Sequence, residues 1–142
     1  MIMNETRAPR SIGRSLGAVL AGFVAVVILS IGTDMALVSA GIFPPLNRPS
    51  LFTTPLLLLA TAYRGAYSVA GSYLAARLAP NRPMGHALAL GVVGLAASIT
   101  GAIIMRGVGP AWYPIALIAL AMPGAWLGGV LSRRCHAISG QD

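Results

Sequence analysis

The chain has 142 residues, enough for one domain, and carries a net charge of +7 on a composition that is 56 % apolar and only 9 % charged, with a mean hydropathy of +0.78. A typical soluble domain is about 25 % charged, so the composition argues against one. The basic residues are all arginine and lie at the edges of apolar segments instead of in one stripe, which argues against a nucleic-acid partner. The single cysteine, Cys135, excludes an internal disulfide and a multi-cysteine metal site.

Residues 1–14 form a polar N-terminal tail with Arg7, Arg10 and Arg14. The first apolar segment covers about 15–40, and Ser15 to Thr33 is free of charge. That length spans about 30 Å of hydrocarbon as a helix. Gly41 to Thr54 is the longest loop; Pro44, Pro45 and Pro49 predict an extended, irregular path. The second segment covers about 55–78 and is interrupted by Arg64. In Ala79-Pro80-Asn81-Arg82-Pro83 the prolines end one helix and open the next. The third segment, about 84–105, holds His86 as its only ionisable group. Gly107 to Pro110 is a short turn, followed by Trp112 and Tyr113, whose amphipathic rings favour a membrane interface. The fourth segment, about 111–132, is uncharged, and 133–142 is a short tail with Arg133 and Arg134.

Seven arginines lie on one side of these segments (Arg7, Arg10, Arg14, Arg77, Arg82, Arg133, Arg134) and two on the other (Arg48, Arg106). This positive-inside bias predicts an all-α membrane protein: four transmembrane helices in an up-down-up-down bundle, with both termini cytoplasmic. The abundance of Ala, Gly and Arg is associated with bacterial proteins, so the expected location is a bacterial inner (plasma) membrane, where arginine also attracts anionic lipid headgroups. The N-terminus has a rival reading as a signal peptide, with Val38-Ser39-Ala40 as a cleavage site. Cleavage leaves three spans in the same orientation.

A weak internal similarity links Gly71–Ala76 to Gly124–Gly129, and Gly22–Ala25 with Gly32 to Gly91–Gly94 with Gly101. It predicts two similar helical hairpins related by an axis along the membrane normal. Close helix contact in lipid depends on small residues. The stripes available are Gly13, Gly17, Ala21 and Ala25 in the first segment, and Gly65, Ser68 and Ser72 in the second. The third offers Gly91, Gly94, Ser98 and Gly101, and the fourth Gly124 and Gly128. They serve packing within the chain or between subunits. Pro123 removes a backbone bond in mid-span and predicts a kink.

Arg64 is the expensive residue, since a charge at that depth costs roughly 2.5–3.5 kcal/mol on insertion scales. Asp34 is the only acid in any span. The two segments are adjacent in the chain, so an intramembrane Asp34–Arg64 ion pair is expected, either structural or ligand-binding. Ser30, Thr61, Tyr67 and Ser68 lie at helical spacing from the pair and complete a polar patch. Other chemistry is thin. His86 is an interfacial histidine, and Cys135-His136 is too small a ligand set for zinc. No metal, no cofactor and no enzyme activity are expected, because a single membrane carboxylate gives acid–base catalysis little to work with.

The run Ala79-Pro80-Asn81-Arg82-Pro83-Met84-Gly85-His86-Ala87-Leu88, with Gly109-Pro110-Ala111-Trp112-Tyr113-Pro114, resembles a group of small uncharacterised bacterial four-helix membrane proteins. The resemblance covers segments two to four and implies no activity. The small multidrug exporters also have four short helices but place an essential Glu near the middle of the first, where this chain has Val26, Val27 and Ile28. Two functions therefore stand: a structural or accessory membrane subunit that associates with itself or with partner membrane proteins, and a small transporter or permease-like unit using the Asp34/Arg64 patch.

Overall fold

The computed structural model describes residues 12–139, so the tail residues Arg7 and Arg10 lie outside the described part. Four helices make up the architecture: α1 (Ile12–Ser39), α2 (Thr54–Leu78), α3 (Pro83–Ile104) and α4 (Trp112–Ser139). The chemistry of their ends is local. Pro55 and Pro83 sit in the first turns of α2 and α3, where the missing N–H has no helical partner to lose. α1 closes with a Schellman motif: Ile42 N–H donates to Leu37 O at 2.9 Å and Gly41 N–H to Val38 O at 3.1 Å. Gly41 takes φ +73°, which a side chain disfavours. α4 is helical to Ser139, the last described residue and seven past the expected end at Ser132; residues 133–139 contain no glycine or proline. Arg133, Arg134, Cys135 and His136 are therefore helical and not a loose tail. The 41–53 loop is also more ordered than expected: it contains a 3₁₀ turn at Pro49–Leu51, and buried Phe43 meets Phe52 edge-on at 5.2 Å.

The helices alternate in direction but do not form a simple ring in chain order. α1 runs antiparallel to α2, with Gly22 against Gly71 and Thr33 against Tyr67. α3 runs antiparallel to α4, with Met84 against Gly129 and Gly91 against Ala125. α2 and α4 are parallel neighbours: Ser68 meets Gly124 and Ser72 meets Gly128. Around the bundle the order is α1, α2, α4, α3; α2 and α3 also touch across the middle, and α1 makes no contact with α4. A two-fold axis along the bundle would require α1–α4 packing to match α2–α3 packing. The two hairpins are instead laid side by side, and the expected rotational repeat is not formed. The similar motifs face different neighbours, Gly71 seating on α1 and Gly128 on α2.

The interior is built from small side chains. The buried apolar set is mostly alanine (Ala18, Ala60, Ala75, Ala76, Ala87, Ala121, Ala125), and the largest fully buried side chains are Ser72 and Ser132. The large aliphatics point outward, with Leu16, Leu20, Ile28 and Met35 of α1 all more than half exposed. A soluble protein does the reverse. Among the three most apolar helices, apolarity falls as burial rises. The best windows of α1, α3 and α4 have mean hydropathies of 2.4, 2.2 and 1.8, with 11, 17 and 33 % of their residues buried. These three helices are long and apolar enough to cross a membrane. α2 is long enough, at 25 residues or about 38 Å. It is not among the apolar candidates, because Tyr63, Arg64, Tyr67, Ser68, Ser72 and Tyr73 occupy its middle. Like α3, it packs against all three other helices.

Candidate functional site

The polar residues of α1 and α2 meet near the end of the bundle that carries the 41–53 loop. Asp34 is buried on the inner face of α1. Arg64 Nη2 donates to Asp34 Oδ2 at 2.7 Å. The Tyr63 hydroxyl donates to the other carboxylate oxygen, Oδ1. One helical turn along α2, the Tyr67 hydroxyl and Thr33 Oγ1 share a hydrogen bond of 2.8 Å. Two adjacent residues of α1 are thus tied to three of α2, and the Tyr63 and Tyr67 rings pack 5.7 Å apart. Both carboxylate oxygens are engaged, whereas the guanidinium is not satisfied: Arg64 Nε is buried without a partner among the described residues. The Arg64 side chain retains 35 % exposure, against 11 % for Asp34.

The remaining expected patch residues divide. Ser30 and Ser68 line a cavity beside the ion pair. Thr61 does not join the patch; its hydroxyl turns back to Leu57 O at 2.8 Å, the usual retreat of a helical threonine in apolar surroundings. Sequence reasoning missed Tyr63 and Thr33. Helical spacing from Arg64 selects i±3 and i±4, but a carboxylate arriving from a neighbouring helix sits between i−1 and i. The pair Tyr63/Tyr67 at four-residue spacing, next to the sole membrane acid, was the available signal. α4 runs unbroken through Pro123, whose ring faces outward while Gly124 seats against Ser68. His86 Nδ1 lies 3.1 Å from Arg82 O in the turn before α3. His136 Nδ1 lies 3.1 Å from Ser132 O. No group of three metal-ligand side chains occurs among the described residues.

The cavity holds about 320 Å³ and is lined by all four helices, in the gap where α1 and α4 fail to meet. Its wall toward the loop end carries Asp34, Arg64, Ser30 and Ser98; toward the other end it is closed by Phe23, Val26 and Leu90. Below that floor the glycine layer begins. Cβ atoms added at Gly22, Gly91 and Gly128 would lie 2.6, 2.5 and 2.5 Å from Gly71 O, Ala125 Cβ and Val69 O respectively.

The small-residue stripes are used only in part. On α1 the packed face is Ala18 and Gly22, not Gly13 and Gly17, which meet nothing within 4 Å. On α3, Gly91 packs, whereas Gly94 and Gly101 have no neighbour within 4 Å and Gly94 opens onto the cavity. Compared with protein-family models, curated proteins and solved structures, the chain finds no match. Its function is therefore read from its own geometry.

Proposed function

We propose that the chain is a four-span integral membrane protein of a bacterial inner membrane, with both termini cytoplasmic. We assign it to the small four-helix group that its 79–114 region resembles. In this reading α2 is the fourth span. Its polarity is tolerable because Tyr63, Arg64, Tyr67, Ser68 and Ser72 are buried or half-buried toward the neighbouring helices, while its exposed face carries Leu58, Leu59, Ala62, Ala66 and Ala70. The observation that carries the reading is the inversion of burial and apolarity across the helices, together with an alanine and serine interior under an aliphatic exterior. Lipid is the solvent for which such a surface carries no penalty; in water, so much contiguous apolar area drives association.

Within that placement, the chain acts as a structural or accessory subunit that assembles with itself or with partner membrane proteins and contacts anionic lipids through its arginine-rich side. The outward faces of α1, which carry unpacked Gly13 and Gly17 among exposed aliphatics, support that role. The second reading, a small permease-like or ligand-binding unit at Asp34/Arg64, is favoured by one observation: the ion pair forms the wall of a cavity instead of being sealed in the interior. Reporter fusions at Asn47 and at the C-terminus test the placement. Signals from opposite compartments are expected, and signals from the same compartment overturn it.

A further inference from the structure

We infer that the interhelical cavity is a binding site for a small amphipathic molecule with an uncharged, hydrogen-bond-accepting head and an apolar body. The inference rests on the membrane placement proposed above. Asp34 accepts from Tyr63 on Oδ1 and from Arg64 on Oδ2, so a cationic head finds no free carboxylate oxygen. Arg64 is already neutralised by Asp34 at 2.7 Å, so an anionic head must compete with an acid of the protein itself. A buried charge deprived of its partner is strongly unfavourable. What remains open is a set of donors: Arg64 lines the cavity with its side chain 35 % exposed, and Asp34 takes up only one of its guanidinium nitrogens. Unpartnered donors facing an otherwise apolar cavity call for an acceptor, and a carbonyl, ester or amide oxygen supplies one without adding charge. The hydroxyl-bearing side chains of Ser30, Ser68 and Ser98 line the same space and offer a second polar contact.

The opposite wall sets the body of the ligand. Phe23, Val26 and Leu90 at the far end and Leu117 and Leu120 on the α4 side are apolar, so the cavity is greasy outside its polar patch. Its volume of about 320 Å³ lies at the lower end of ligand cavities, which span about 300–1,000 Å³. That size suits a compact head with a short apolar body. Entry is from the lipid, through the gap between α1 and α4.

The test uses the full chain in phosphatidylcholine nanodiscs and three photoreactive probes with one diazirine-bearing alkyl tail. The heads are a primary amide, a carboxylate and a trimethylammonium. Labelled peptides are mapped by mass spectrometry. The amide is expected to label Phe23–Asp34 and Leu117–Ala121 saturably, about five- to tenfold above the charged heads, the scale of one added hydrogen bond. Gly94→Leu should abolish that labelling, since Gly94 lines the cavity and a Cβ there meets nothing within 4 Å. Gly101→Leu, at an equally open position that does not line the cavity, should leave it intact. If Gly94→Leu does not fold, Ser98→Leu serves the same purpose. Labelling that is unsaturable, equal for the three heads, stronger for a charged head, or unchanged by the cavity-filling variants overturns the proposal. Topology is read separately by the Asn47 and C-terminal fusions. A chain that inserts as proposed but labels without saturation overturns the site alone; a wrong topology with saturable labelling overturns the placement alone.

Discussion

The two halves of the bundle are held together by opposite means. Toward the end that carries the 79–82 turn, backbones meet through glycine: Gly22 lies against Gly71, Gly91 against Ala125, and Gly128 against Val69 and Ser72. Toward the end that carries the 41–53 loop, the helices part around a cavity, and α1 is attached to α2 by side-chain hydrogen bonds and one ion pair. Lipid tails are as apolar as the helices, so burial by itself does little to hold spans together. The first half therefore depends on dispersion at very short range, which only residues without large side chains permit. The second depends on polar bonds that have no competitor in hydrocarbon, and its looser packing leaves room for another molecule. Shape holds one half and chemistry the other, so the two should fail under different substitutions.

The largest effect is expected at the ion pair. Asp34→Leu or Arg64→Leu alone leaves its partner without a counter-charge and should destabilise by about 3–5 kcal/mol, whereas the double change should recover most of that loss. Thermal unfolding in mild detergent checks it, and additive losses in the double variant would break the idea that charge pairing holds the loop half. Labelling by the amide probe in that double variant separates a structural pair from a ligand site. Next comes the glycine layer. Gly128→Leu places a Cβ 2.5 Å from Val69 O and 2.7 Å from Tyr73 N, backbone atoms that no rotamer change can move. A loss of about 3 kcal/mol, the upper part of the overpacking range, is expected, and a neutral result would show that α2 and α4 do not meet there.

Smaller effects sharpen the contrast. Tyr63→Phe removes one hydrogen bond to a charged acceptor and should cost about 1.5–3 kcal/mol, against about 1 kcal/mol for Tyr67→Phe, which loses only a neutral bond to Thr33. Equal losses would mean that the carboxylate does not distinguish its two neighbours. Smallest of all, Gly13→Ala and Gly17→Ala meet open space, and away from a packed face they should stay within about 0.5 kcal/mol of the parent or gain slightly from helix propensity. A loss as large as that at Gly128 would place a partner chain on the outer face of α1.

Much of the helical layout was legible in the chain itself. Prolines at 55 and 83 and the glycine at 41 mark helix boundaries through local backbone chemistry. Three uninterrupted apolar runs are long enough to cross a bilayer by composition alone. Asp34 and Arg64 stood out because each is the only residue of its charge in the apolar interior of its segment. Local bonding and solvent preference act on residues close in sequence, so they leave a trace that can be read there. Four features were decided by tertiary structure: the packed face of α1 at Ala18 and Gly22, the central place of α2, the side-by-side arrangement of the hairpins, and the recruitment of Tyr63 and Thr33. Each depends on the rotation of one helix about its axis relative to another. Small residues occur on several faces of these helices, and lipid and neighbouring helix are nearly the same solvent to an apolar side chain. Periodicity then has no contrast to report, and only the assembled bundle selects among the faces.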